Sequence, residues 1–143
     1  MRRVAAAAVL SFAGLVQAYA AEQMTRACEA AIKSRLLTPE SFKLLDTEEY
    51  SRPISREDYA QELGKGIDSA NVRKAKLAIF DARGGTAEYK RLTIRFEAMD
   101  PRNKPVKALT VCEATLIGDD QPEPDQVKLD GKDRTDWLIH GAR

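Results

Sequence analysis

One histidine, two cysteines and one tryptophan in 143 residues leave little of the usual catalytic equipment. A lone histidine, His140, cannot complete a zinc site, which takes about four nitrogen, sulfur or carboxylate ligands. Cys28 and Cys112 are far apart, so the C-x-x-C spacing of thiol redox sites is missing. Neither G-x-S-x-G nor S-x-x-K occurs to mark an activated serine. Charge of one sign is also lacking. The 23 Lys/Arg and 22 Asp/Glu nearly balance, which argues against a dedicated nucleic-acid binder. No aromatic platform interleaves the basic residues, as single-strand binding would need. After the first twenty residues there is no long apolar run, so no second hydrophobic span follows.

The first residues have a pattern of their own. Met1-Arg2-Arg3 is basic, Val4 to Val16 is almost wholly apolar, and Ala18-Tyr19-Ala20 has the small-x-small form that signal peptidase reads. We read residues 1–20 as a signal peptide and 21–143 as one α+β domain, periplasmic or extracellular. Losing Arg2 and Arg3 leaves 21 bases and 22 acids, a net charge of about −1. Two cysteines in an exported chain favour a disulfide between Cys28 and Cys112. A bond closing so long a loop is worth about 4.5 kcal/mol by the chain-entropy argument. The alternative is a reactive or intermolecular cysteine.

A helix is predicted from Glu22 to Leu37. Met24, Cys28, Ile32 and Leu36 recur every four residues with Ala27 and Ala31 beside them, and Thr38-Pro39 ends the pattern. Strands are predicted over Phe42–Tyr50 and Ala75–Asp81, with a Ser51-Arg52-Pro53 turn between. Ser55-x-x-Asp58 opens a short helix through Leu63 that Gly64-Lys65-Gly66 stops. Tyr89 to Leu116 reads as a hairpin. In its first arm Leu92, Ile94, Phe96 and Ala98 face one way, and Arg91, Thr93, Arg95 and Glu97 the other. In its second arm Val106, Ala108, Cys112, Ala114 and Leu116 share a face. Residues 119–126 form an acidic loop, and the tail 127–143 docks Trp137, Leu138 and Ile139 on the body. The fold expected is α+β: a long N-terminal helix packed on an antiparallel sheet of about four strands, with one disulfide.

Three local patterns stand together: helical Cys28 with Leu36-Leu37-Thr38-Pro39-Glu40-Ser41-Phe42, the run from Ile94 to Pro105, and Cys112. They resemble a group of small exported bacterial domains of unknown function. In these a cysteine-bearing helix ends in leucine, proline and small residues, and a later hairpin delivers a second cysteine. The resemblance implies a fold and a disulfide, and no activity.

No residue set asks for a cofactor or a metal, and no catalytic residue is assigned. Asp46 and Glu48 share a strand face, the minimum for a glycan hydrolase, but such a face is more often simply solvated. The acids from Asp119 to Asp136 lack the alternate spacing of a calcium loop. Charge distribution is more telling. Residues 65–107 hold eleven bases and five acids, whereas 113–136 hold eight acids and three bases. The basic residues gather on the hairpin at Arg91, Arg95, Arg102 and Lys104, with Asn103 in its loop. These five form the candidate binding surface of a non-enzymatic module. Its expected partner is an envelope or secreted protein, with an acidic one suited to the surface. An anionic lipid or glycan, or an envelope enzyme that the module inhibits, is the alternative.

Overall fold

The computed structural model describes residues 13–140, without the side chains of residues 13–21, Trp137, Ile139 and His140. The fold is the α+β class expected. Helix α1 (Ala13–Lys33) is followed by strand β1 (Lys43–Ile54), helices α2 (Arg56–Gly66) and α3 (Ala70–Ala82), and strands β2 (Ala87–Met99) and β3 (Pro105–Ile117). Strand β4 (Lys128–Leu129) and helix α4 (Arg134–His140) complete it. The sheet is antiparallel throughout in the order β1-β2-β3-β4. The proposed leader falls largely on residues 1–12, outside the described residues. α1 itself continues across Ala20–Ala21.

Alternation fixes which side of the hairpin is buried. Leu92, Ile94, Phe96 and Ala98 of β2, with Cys112 and Ala114 of β3, pack under Met24, Ala27, Cys28, Ala31 and Ile32 of α1. Both cysteines are 0 % exposed and joined, with Cα atoms 6.0 Å apart. The helix stripe and the hairpin face meet as their periodicities require. Phe42 adds a ring 5.2 Å from that of Phe96.

A second, smaller core lies at one end of the sheet's other face. There Ile54 and Ala87 pack against Tyr59 and Leu63 of α2 and Phe80 of α3, with Tyr59 and Phe80 stacked at 5.0 Å. Gly118 closes this end. Its φ is +58°, and a Cβ there would lie 2.8 Å from the Arg83 carbonyl oxygen, so only glycine fits without a shift.

The structure corrects five expectations. Residues 75–81 belong to helix α3, not to a strand. Seven apolar-rich residues fit either period, and the deciding signal is upstream, where the Ser69 hydroxyl accepts a hydrogen bond from the Val72 N–H at 3.4 Å and caps the helix. α1 ends at Lys33 rather than Leu37, because the Ser34 hydroxyl donates to the Ala31 carbonyl at 2.7 Å and the chain tightens into 3₁₀-type turns. Ser51-Arg52-Pro53 is not a turn, since β1 runs through it. A proline is tolerated on an edge strand where its missing donor faces solvent. The edge is further guarded by a bulge between Leu44 and Asp46 and by the Asp46 carboxylate accepting the Thr47 N–H at 2.9 Å. α2 extends to Gly66 rather than ending at Leu63, while its expected cap is present, the Ser55 hydroxyl accepting from the Asp58 N–H at 3.1 Å.

The tail is the fifth. Val127 and Leu129 dock in the main core, whereas Leu138 is 78 % exposed. The packing of Trp137 and Ile139 lies outside the described residues. β4 therefore takes the fourth place in the sheet that residues 75–81 were expected to fill. Asp130 fastens it, accepting hydrogen bonds from the Thr110 hydroxyl at 2.7 Å and the Val111 N–H at 2.8 Å.

Candidate interaction surface

Beyond the α2–α3 end, the second sheet face is uncovered. The strand register sets its side chains in rows of β1, β2 and β3 residues: Arg52–Tyr89–Thr115, Tyr50–Arg91–Glu113, Glu48–Thr93–Val111, Asp46–Arg95–Leu109 and Lys43–Glu97–Lys107. Directly opposed residues on antiparallel strands point the same way and interact as cross-strand pairs.

In the first two rows arginines and tyrosines interlock. The Arg91 guanidinium lies 5.4 Å from the Tyr50 ring centroid and that of Arg52 lies 5.3 Å from the Tyr89 ring, both within cation–π range. The two rings meet edge to face at 6.5 Å. The Tyr89 hydroxyl donates to Glu113 Oε1, and Arg52 reaches Glu62 of α2 at 3.9 Å. Partial burial, then the bond to Glu113, pushes the Tyr89 phenol up to about 12, so it remains a neutral donor across the physiological range. Beside this cluster, where α2 stops covering the sheet, lies a cleft of about 500 Å³ lined by Glu62, Lys65, Tyr89, Glu113, Thr115 and Lys128 among others. Farther along the face Tyr50 is 48 % and Leu109 58 % exposed.

The five residues nominated from sequence are strung along the hairpin rather than gathered. Arg91 and Arg95 stand on the open face, while Arg102, Asn103 and Lys104 occupy the tip. Eight residues separate Arg91 from the end of β2, about 26 Å of strand. Asn103 has a structural task, because its φ of +58° supplies the left-handed turn residue without a glycine. Asp100 organises the same turn by accepting the Arg102 and Lys104 N–H groups, each at 2.8 Å.

Nor is the open face uniformly basic. β1 brings Asp46 to 3.4 Å from Arg95 and places Glu48 opposite Thr93. The five rows contain five cations and four carboxylates. The neutralising acids thus come from a strand some 45 residues earlier and not from the acidic segment 113–136 alone. That segment has other partners: Arg83 pairs with Asp120, and the Asp133 carboxylate accepts the Asp136 N–H at 2.8 Å in the first turn of α4.

Asp46 and Glu48 share the face as expected. Both are exposed, so no apolar surroundings set one apart from the other as acid and base. Among the described residues, no group of three or more His, Cys, Asp or Glu side chains is placed to hold a metal. No described helix is long and apolar enough to cross a membrane. His140 ends α4, and its side chain lies outside the description. The residues that sequence reading missed are Tyr50, Arg52 and Leu109. Tyr50 lies on this face by alternation from Asp46 and Glu48, whereas Arg52 joins it only because β1 continues through Pro53. No family model matches the chain, and comparison with curated proteins and with solved structures found no match.

Proposed function

We propose that this chain is an exported, non-enzymatic binding module that engages another envelope or secreted protein through the open face of its sheet. The observation that carries this reading is the uneven covering of the sheet. On one face α1 buries the hairpin residues of β2 and β3, while the other leaves Tyr50 and Leu109 about half exposed and Arg91 exposed. Tyrosine and arginine are among the side chains enriched at binding hot spots. Here each arginine is already held over a ring or by a carboxylate, which reduces the side-chain entropy lost on binding. Residues 1–20 serve as the leader, and the disulfide suits the oxidising periplasm or exterior.

A photo-crosslinking residue at Leu109 tests the reading, with one at Arg26 on α1 as control, in cells that export the protein. A specific adduct is expected from position 109 and none from 26. Equal adducts from both, or none from 109, would count against it. A second reading is favoured by the hairpin tip, where Arg102 and Lys104 are exposed. Asp100, the acid among them, is occupied with backbone amides. An anionic glycan or lipid headgroup bound there would dissociate steeply with salt, whereas binding through the open face, with its balanced charge, would not.

A further inference from the structure

The outward side of α3 forms a surface separate from the open sheet face. Leu77 and Phe80 turn toward the small core, and Arg73 is occupied as a cap, its Nη1 donating to the Ile67 and Asp68 carbonyls at 2.6 and 2.9 Å. Val72, Ala75, Ile79 and Ala82 remain, all exposed, with Val72 at 44 % and Ile79 at 49 %. Their spacing of three, four and three residues places them along one side of the helix, the a/d pattern of a helix–helix seam, with β-branched residues at a. With the two alanines between and beyond them, the two aliphatic side chains form one continuous apolar strip along α3.

Charge specifies what covers it. The one carboxylate of α3, Asp81, is held by both nitrogens of the Arg56 fork at 2.7 and 2.9 Å. Lys76 borders the seam and Lys74 stands behind it, while Arg83 at the end is already paired with Asp120. Two-fold antiparallel pairing of α3 with a second copy, centred on the seam, would bring Lys76 close to Lys76 of the other chain, a like-charge contact. A bilayer surface is a poorer fit, because interfacial helices insert bulky leucine, phenylalanine or tryptophan, and here alanines alternate with valine and isoleucine. Alanines at d let a second helix approach closely. We infer that α3 docks an amphipathic helix of another protein, one whose apolar seam is flanked by carboxylates.

The test uses the full oxidised protein, isotopically labelled, and two synthetic helical peptides of about three heptads with isoleucine and leucine at a and d. One carries glutamate at e and g, the other lysine. The glutamate peptide is expected to bind saturably, shifting amide resonances of α3 and leaving those around Leu109 unmoved. The lysine peptide should bind at least ~10-fold more weakly. Ile79→Glu should abolish binding without changing the thermal midpoint, since the side chain is exposed. The inference is overturned if neither peptide binds, if both bind equally, or if the shifts centre on Arg91 and Leu109. Self-association of the wild type that Ile79→Glu dissolves would also overturn it, as would Ile79-dependent binding to phosphatidylglycerol vesicles. Because the open face is read out separately, failure here leaves the proposed function standing, and the reverse also holds.

Discussion

The two faces of the sheet are covered by helices in opposite ways. On one, α1 lays Met24, Ala27, Cys28, Ala31 and Ile32 across the hairpin and is bonded to it through Cys112. On the other, α2 and α3 hold one end only, through a core of Ile54, Tyr59, Leu63, Phe80 and Ala87. The difference separates where stability resides from where we propose that recognition occurs. The stapled face spends its side chains on the fold, and the half-covered face retains exposed tyrosine, arginine and leucine. The smaller core also makes the α2–α3 end the region most easily opened.

The largest effect should come from breaking the staple. Cys28→Ser is expected to cost about 4–5 kcal/mol, a large share of the ~5–15 kcal/mol typical of a domain. Urea unfolding of the oxidised wild type and the variant reads this directly. A midpoint that hardly moves would mean that packing alone holds α1 on the hairpin. Phe80→Ala should cost about 3–4 kcal/mol, but locally. Hydrogen exchange should speed up through residues 56–82 while amides of β2 and β3 under α1 stay protected. Uniform acceleration would erase the distinction between the two cores.

How far each region could be read from sequence follows the same division. The hairpin arms were legible because alternation over Leu92–Ala98 has one interpretation once Arg91 and Arg95 interrupt it. The disulfide followed from the expected leader and a count of two cysteines. α3 was not legible as a helix, because Ala75–Asp81 is short and its cap, Ser69, lies outside the apolar run. β4 is two residues long, too short to carry any period, and it is held by Asp130 through contacts some 20 residues away. The open face was half legible. Its arginines were visible, but Asp46, Tyr50 and Arg52 reach them only through strand register, which spans about 40 residues of sequence and has no local signal.

Smaller effects sharpen the comparison. Asp130→Gly keeps the left-handed backbone, φ +52°, and removes the carboxylate bonded to Thr110 and Val111. It should cost about 1–3 kcal/mol, with exchange rising first at residues 127–140. Tyr89→Phe probes the edge of the open face through pH. The phenol titrates near 10.0 when unfolded and is raised to about 12 in the fold. Its contribution is therefore fully present below pH ~10 and is lost as pH rises toward ~12. The wild type should lose stability across that window, and Tyr89→Phe should flatten that part of the slope. An unchanged slope would mean that the bond to Glu113 does not persist in solution.

The central claim is that the helix-covered face holds the fold and the open face binds. It is tested most directly by the triple replacement Tyr50→Ala, Arg91→Ala and Leu109→Ala. Unfolding midpoint and partner crosslinking through a probe at Thr93 should be measured on the same protein. The account predicts a midpoint within a few degrees of wild type, since these side chains lie outside both cores, together with loss of the crosslinked adduct. An adduct formed as efficiently as in the wild type would contradict it.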